Sequence, residues 1–241
     1  MIVSIFRFRH EPRSKNINSH APGLNSAGLL ASICLLLGAC SSGPKPADWQ
    51  LEAKGTMDRS IAAYLEGNTR VEAVELARAR SEISSTGRID LMARAELRHC
   101  ASHVASLVFE PCAGFEKLRQ DAAPAERAYA DYLAAMLQAA DSALLPPAQR
   151  AVLTGGDDAF KSIGDPLSKL VAAGVALQTG RASPAVVQLA VDTASSQGWR
   201  RPLLAWLGVQ LALAEKGGDS DTAARLRRRI ELAQGDLKTV R

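Results

Sequence analysis

Aromatic residues are scarce in this chain: of 241 residues, Phe, Trp and Tyr together make up 5%. That scarcity, beside abundant Ala, Leu, Arg and Glu, argues against a β-sandwich and for helix. No alternating segment of strand length stands between two turn signals. Gly 18 and Pro 11 are too few for collagen or a low-complexity linker. No Cys-x-x-Cys-His haem site, phosphate-cradling glycine loop or Gly-x-Ser-x-Gly elbow occurs. No apolar run reaches the roughly 20 residues that a bilayer-spanning helix needs. What is present is an apolar share of 47%, which excludes disorder as the main state. The length suits one domain or two small ones.

The first 26 residues carry Arg7, Arg9, Arg13 and Lys15 against the single acid Glu11. An apolar run from Ala27 to Gly38 follows and ends in Ala39-Cys40. A basic stretch, a short apolar stretch and small residues at its end describe a secretory signal. The residues Leu37-Gly38-Ala39-Cys40, placed before a polar tract, closely resemble the bacterial lipobox. The resemblance implies a signal peptide over 1–39 and a lipidated Cys40 as the mature N-terminus. It also implies a membrane anchor, and Ser41 in the second mature position points to the periplasmic side of the outer membrane. Residues 40–47 then read as a tether, 48–235 as a helical domain and 236–241 as a tail.

Charge excludes one class of partner. The leader holds four basic residues and one acid, so the net charge of +4 falls to +1 without it. Nucleic acid requires a concentrated basic surface, and none is expected as a partner. Arg225, Arg227, Arg228 and Arg229 form one local cluster, which reads as a solvated helix face.

Of four cysteines, Cys34 departs with the leader and Cys40 takes lipid. Cys100 and Cys112 remain, an even pair in an oxidising compartment, and are expected to form a disulfide. The bridge sets a condition. A helix continuing to Phe109 carries the chain about 13 Å past Cys100, too far for Cys112 to return. The helix must therefore stop near Ser106, with residues 108–111 folding back.

Helical periodicity runs through the mature chain. Met57, Ile61, Tyr64 and Leu65 form one stripe, and Ile89, Ala93, Leu97, Cys100, Val104 and Leu107 another. Tyr129, Tyr132, Leu133, Met136, Leu137 and Ala140 read as a third on one helix opened by Pro124. Thr69 and Glu72 have capping-box spacing. Prolines 166, 184 and 202 mark later starts. The helix after Pro202 is apolar on every side and is expected to be the most buried. The last helix turns Ala223, Leu226, Ile230 and Ala233 inward.

Pair starts near Asp48, Arg88, Pro124, Pro166 and Pro202 recur at intervals of about 36–42 residues, a helical-hairpin pattern. Leu207-Gly208-Val209-Gln210-Leu211, with Ala223 or Ala224 downstream, resembles the tetratricopeptide family. The intervals are irregular and the family's closing proline is mostly absent. The fold class is all-α: a degenerate tetratricopeptide-like α-solenoid, or a compact helical bundle.

Candidate chemistry is sparse. His99 and His103 stand four apart on one helix face, near Glu96, Glu110 and Cys112. The glutamate beside the first histidine that marks a helical zinc protease is missing, and the pair reads as surface histidines. Glu82-Ile83-Ser84-Ser85 and Asp157-Asp158 are the carboxylate candidates for cell-wall cleavage, but the aromatic and glycine-rich motifs that accompany such acids are absent. No catalytic residue, metal or cofactor is assigned. The expected role is a non-enzymatic adaptor or assembly factor that binds a protein or peptide through a helical surface. The alternative is a cell-wall enzyme or accessory factor.

Overall fold

A computed structural model of the protein describes residues 47–235; the expected signal, Cys40 and nearly all of the expected tether lie outside them, as does the expected tail. Among the described residues there is helix and no strand. The longer helices are α1 (Asp48–Glu66), α2 (Thr69–Ser84), α3 (Ile89–Ala105), α5 (Pro124–Leu133), α8 (Pro166–Gln178), α9 (Pro184–Ser196), α10 (Arg200–Lys216) and α11 (Ser220–Gln234). Three short ones, α4 (Ala113–Glu116), α6 (Pro147–Thr154) and α7 (Asp157–Lys161), fill the middle of the chain with two 3-10 turns. No described helix is long and apolar enough to cross a membrane.

Proline and polar caps set the starts. Pro124, Pro147, Pro166 and Pro184 each occupy the first helical turn, where the missing N–H costs nothing. Asp165, Ser183 and Asp219 cap their helices by accepting from the backbone N–H groups of Ser168, Val186 and Thr222. The start of α2 differs from the capping-box reading: Asn68 is the cap, accepting from Val71 N–H at 3.2 Å. That frees Glu72, which is buried.

Helix hairpins stand at both ends of the domain, α1 with α2 and α10 with α11. Between them α3 crosses α8 so closely that a Cβ on Gly174 would lie 2.5 Å from the Val104 carbonyl oxygen. In an open solenoid each repeat touches its neighbours alone. Here α10 returns to α1, and the Trp206 indole N–H donates to the Ala105 carbonyl oxygen at 3.1 Å across 101 residues. Arg201 Nε donates to the Tyr64 carbonyl oxygen at 2.7 Å. The first bond satisfies a carbonyl that the end of α3 leaves open, and the second adds a donor to a carbonyl that already accepts from Gly67 N–H. The hairpin pattern is thus interrupted in the middle, and the described helices pack into a compact all-α arrangement.

Two expectations are corrected. The most buried helix is α8, in which Leu170 to Ala176 are buried without a break, and not α10. On α10 Trp206 and Leu207 are buried, while Leu213 is 45% exposed. An apolar circumference alone does not decide burial; position does, and α8 lies between α3 and α9 in the middle of the fold whereas α10 belongs to the terminal hairpin with α11. The third stripe also fails as a single helix. Helix α5 stops at Leu133, Ala135 takes φ 58°, and Met136 is 61% exposed. No proline or glycine lies between Ala125 and Leu145, so nothing local signals the break.

Candidate functional site

The chain turns back sharply after α3. Ser106 ends the helix, Leu107 takes φ 60°, and Val108 N–H donates to the His103 carbonyl oxygen at 3.0 Å. This is a Schellman closure with leucine where glycine is usual. It sends 108–111 back along the helix, as the bridge requires. Cys100 and Cys112 are disulfide-bonded with Cα atoms 5.8 Å apart. Ala135 closes α5 in the same way, with Met136 N–H donating to the Asp131 carbonyl oxygen at 2.8 Å. Among the described residues Leu107 and Ala135 are the non-glycine positions with positive φ.

These two turns face one cavity of about 520 Å³, with the disulfide in its wall. Val104, Phe109, Leu133 and Met136 supply apolar surface, and Phe109 and Met136 are exposed at 40% and 61%. Glu110, Glu116, Asp131 and Arg119 provide the charge. Arg119 is held by Glu116 at 2.7 Å and by Asp131 at 3.0 Å. Three carboxylates against one guanidinium leave the rim acidic. The volume is that of a ligand-sized cleft.

A second cluster lies along α3. His99 Nε2 is 3.0 Å from Glu72 Oε1, and His103 Nε2 is 3.7 Å from the same oxygen. The His103 ring stacks on Tyr64 at 4.2 Å with a 9° tilt, and Arg201 lies over that tyrosine ring at 4.3 Å. Burial pushes the Tyr64 phenol up to about 12. Burial first, and then the neighbouring His99, holds the His103 imidazole below its usual value against the pull of Glu72 and Glu110. The expectation of surface histidines is therefore corrected: both side chains are mostly covered, at 18% and 25% exposure.

The other expected partners go elsewhere. Glu96 is engaged by Arg80 at 2.6 and 2.7 Å, and Cys112 is in the bridge. Glu110 lines the cleft. Glu72, read from the sequence as a capping residue, is the acid that meets the histidines. The signal that could have revealed it is the register of α2: Glu72, Glu75, Leu76, Ala79 and Ile83 share the buried face.

The carboxylates considered for cell-wall chemistry do not converge. Asp157 accepts from the Ser183 hydroxyl at 2.8 Å, and Asp158 pairs with Lys161 at 2.7 Å in the first turn of α7. Glu82 is on α2. The arginines of α11 point outward as expected, Arg227 bonding Glu215. Comparison with models of known protein families, with curated proteins and with solved structures gives no match.

Proposed function

We propose that the chain is an outer-membrane lipoprotein, anchored through Cys40, whose helical domain is a non-enzymatic adaptor for a protein or peptide partner in the periplasm. The observation that carries the adaptor reading is the cleft between the Leu107 and Ala135 turns. Holding leucine and alanine in the left-handed region costs roughly 1–2 kcal/mol each. Such strain clusters where a fold positions a surface for use. Here it places Phe109 and Met136, two large exposed apolar side chains, over a cavity walled by a covalent bridge. Aromatic and methionine side chains are over-represented at the anchors of protein interfaces. The acidic rim suits a segment with an apolar anchor flanked by a basic residue.

The lipobox resemblance and the oxidising compartment that a bridge requires support the location. Replacing Cys40 by serine is expected to leave the protein unlipidated, released or held as precursor, and fractionation reads this directly. Recovery of the wild-type chain wholly with the inner membrane would overturn the sorting alone. For the cleft, a photo-crosslinker at position 136 is expected to capture one partner in cells. Phe109→Glu should abolish that capture, and Leu232→Glu, on an exposed residue of α11, should not. A capture unchanged by Phe109→Glu would end the adaptor reading of this surface.

A further inference from the structure

Four glutamates on the long helices are buried: Glu72, Glu75, Glu96 and Glu126. Three are matched by arginines, Glu75 by Arg59 at 2.9 Å, Glu96 by Arg80 at 2.6 Å and Glu126 by Arg94 at 2.8 Å. Glu72 instead faces two imidazoles, which carry charge only when protonated. A buried carboxylate demands a cation or several hydrogen bonds. His103 Nε2 is itself buried and makes no hydrogen bond, although it lies 3.7 Å from Glu72 Oε1. A buried nitrogen without a partner is costly unless something else engages its lone pair.

We infer that Glu72, His99 and His103 form a binding site for one divalent late first-row transition-metal ion, of which zinc is the type. Each residue offers one ligand atom, and no two of the three atoms are more than 4.8 Å apart. Ligands about 2.0–2.2 Å from a shared ion lie roughly 3–4 Å from one another. The separations of 3.0 and 3.7 Å from Glu72 Oε1 already meet that condition. Two nitrogens and one carboxylate oxygen are a zinc-type donor set with an open position, and nitrogen donors discriminate against calcium and magnesium.

The fold prepares the site from two directions. His99 and His103 are one turn apart on α3, so both rings leave the same face. Glu72 comes from α2, where its backbone carbonyl accepts from the Ser60 hydroxyl at 3.1 Å. Stacking on Tyr64 fixes the plane of the His103 ring. Any proton shared by His99 Nε2 and Glu72 Oε1 moves to Nδ1 or to solvent as the ion enters. Both imidazoles lie near the surface, partly exposed, although His103 Nε2 itself is covered.

The test uses the full chain, bridge intact, without a polyhistidine tag and with every thiol outside the bridge alkylated, because a free Cys40 is itself a soft donor. Zinc is titrated by calorimetry and by competition with a chromophoric chelator. One equivalent should bind and raise the melting temperature. His99→Gln and His103→Gln should each weaken binding by more than about 100-fold, beyond the 10–100-fold that supporting residues contribute. Glu110→Gln, which changes nearby charge without removing a ligand, should stay within about tenfold. Cobalt should give a visible d–d spectrum with the wild-type chain and none with His103→Gln, whose helicity by circular dichroism reports folding separately. Wild-type uptake no greater than that of His103→Gln, or a substoichiometric isotherm, would overturn the site. Neither result bears on Phe109 and Met136, so this inference and the adaptor reading fail independently.

Discussion

Leu107 and Ala135 share a left-handed backbone, yet glycine should act oppositely at the two positions. Ala135 has one methyl group to lose, so Ala135→Gly relieves steric strain and is expected to stabilise by about 0.5–1 kcal/mol after the entropy cost of glycine. Leu107 packs against the core, so Leu107→Gly removes buried apolar surface and should destabilise by roughly 1–3 kcal/mol despite the same relief. Urea denaturation of the two variants reads the contrast. Leu207 is 1% exposed beside the fully buried Trp206, and Leu207→Ala is expected to cost about 2–5 kcal/mol. A loss below about 1 kcal/mol there would mean the cavity collapses or the core lies elsewhere. Residue identity was legible in the sequence where it sets packing, as at Leu207 and Met57. It misled at Glu72, because a local spacing rule cannot see that Asn68 has already taken the cap.

At the scale of elements, the crossing of α3 over α8 leaves no room for a side chain at Gly174. Gly174→Ala would drive a methyl group into the Val104 carbonyl, a backbone atom that cannot rotate away. The helices must separate, at a cost of about 1–3 kcal/mol or more, and the melting temperature should fall accordingly. Helix starts were legible because proline and capping side chains act locally: Pro124, Pro166 and Pro184 open helices where the sequence places them. The end of α3 near Ser106 was legible too, through the reach of a covalent bridge. The end of α5 was not, since the periodic stripe runs on through Met136 although the helix stops at Leu133. The cleft escaped notice for the same reason, its two turns being non-glycine Schellman closures that no residue type announces.

For the whole molecule, the bridge matters more to the cleft than to the fold. Closing so short a loop stabilises by roughly 3 kcal/mol in the chain-entropy account. Reduction should lower the unfolding free energy by about that amount while leaving the far-ultraviolet helix signal in place, since the helices still bury their stripes. Non-reducing mass spectrometry should find no free thiol at Cys100 or Cys112 in the native protein. Photo-crosslinking from position 136 should fall with reduction, because residues 108–111 lose the tie that holds Phe109 over the cavity. An undiminished crosslink after reduction would show that the Leu107 turn alone holds that segment.

The indole of Trp206 reaches back to Ala105, and this imposes an order in time as well as in space. A chain that enters its compartment from the N-terminus delivers the Ala105 carbonyl first and the tryptophan that covers it 101 residues later. Throughout that interval the first hairpin and α3 wait with part of their apolar surface unroofed. The N-terminal part of the domain therefore stays incompletely covered until the tenth helix arrives to shut the roof.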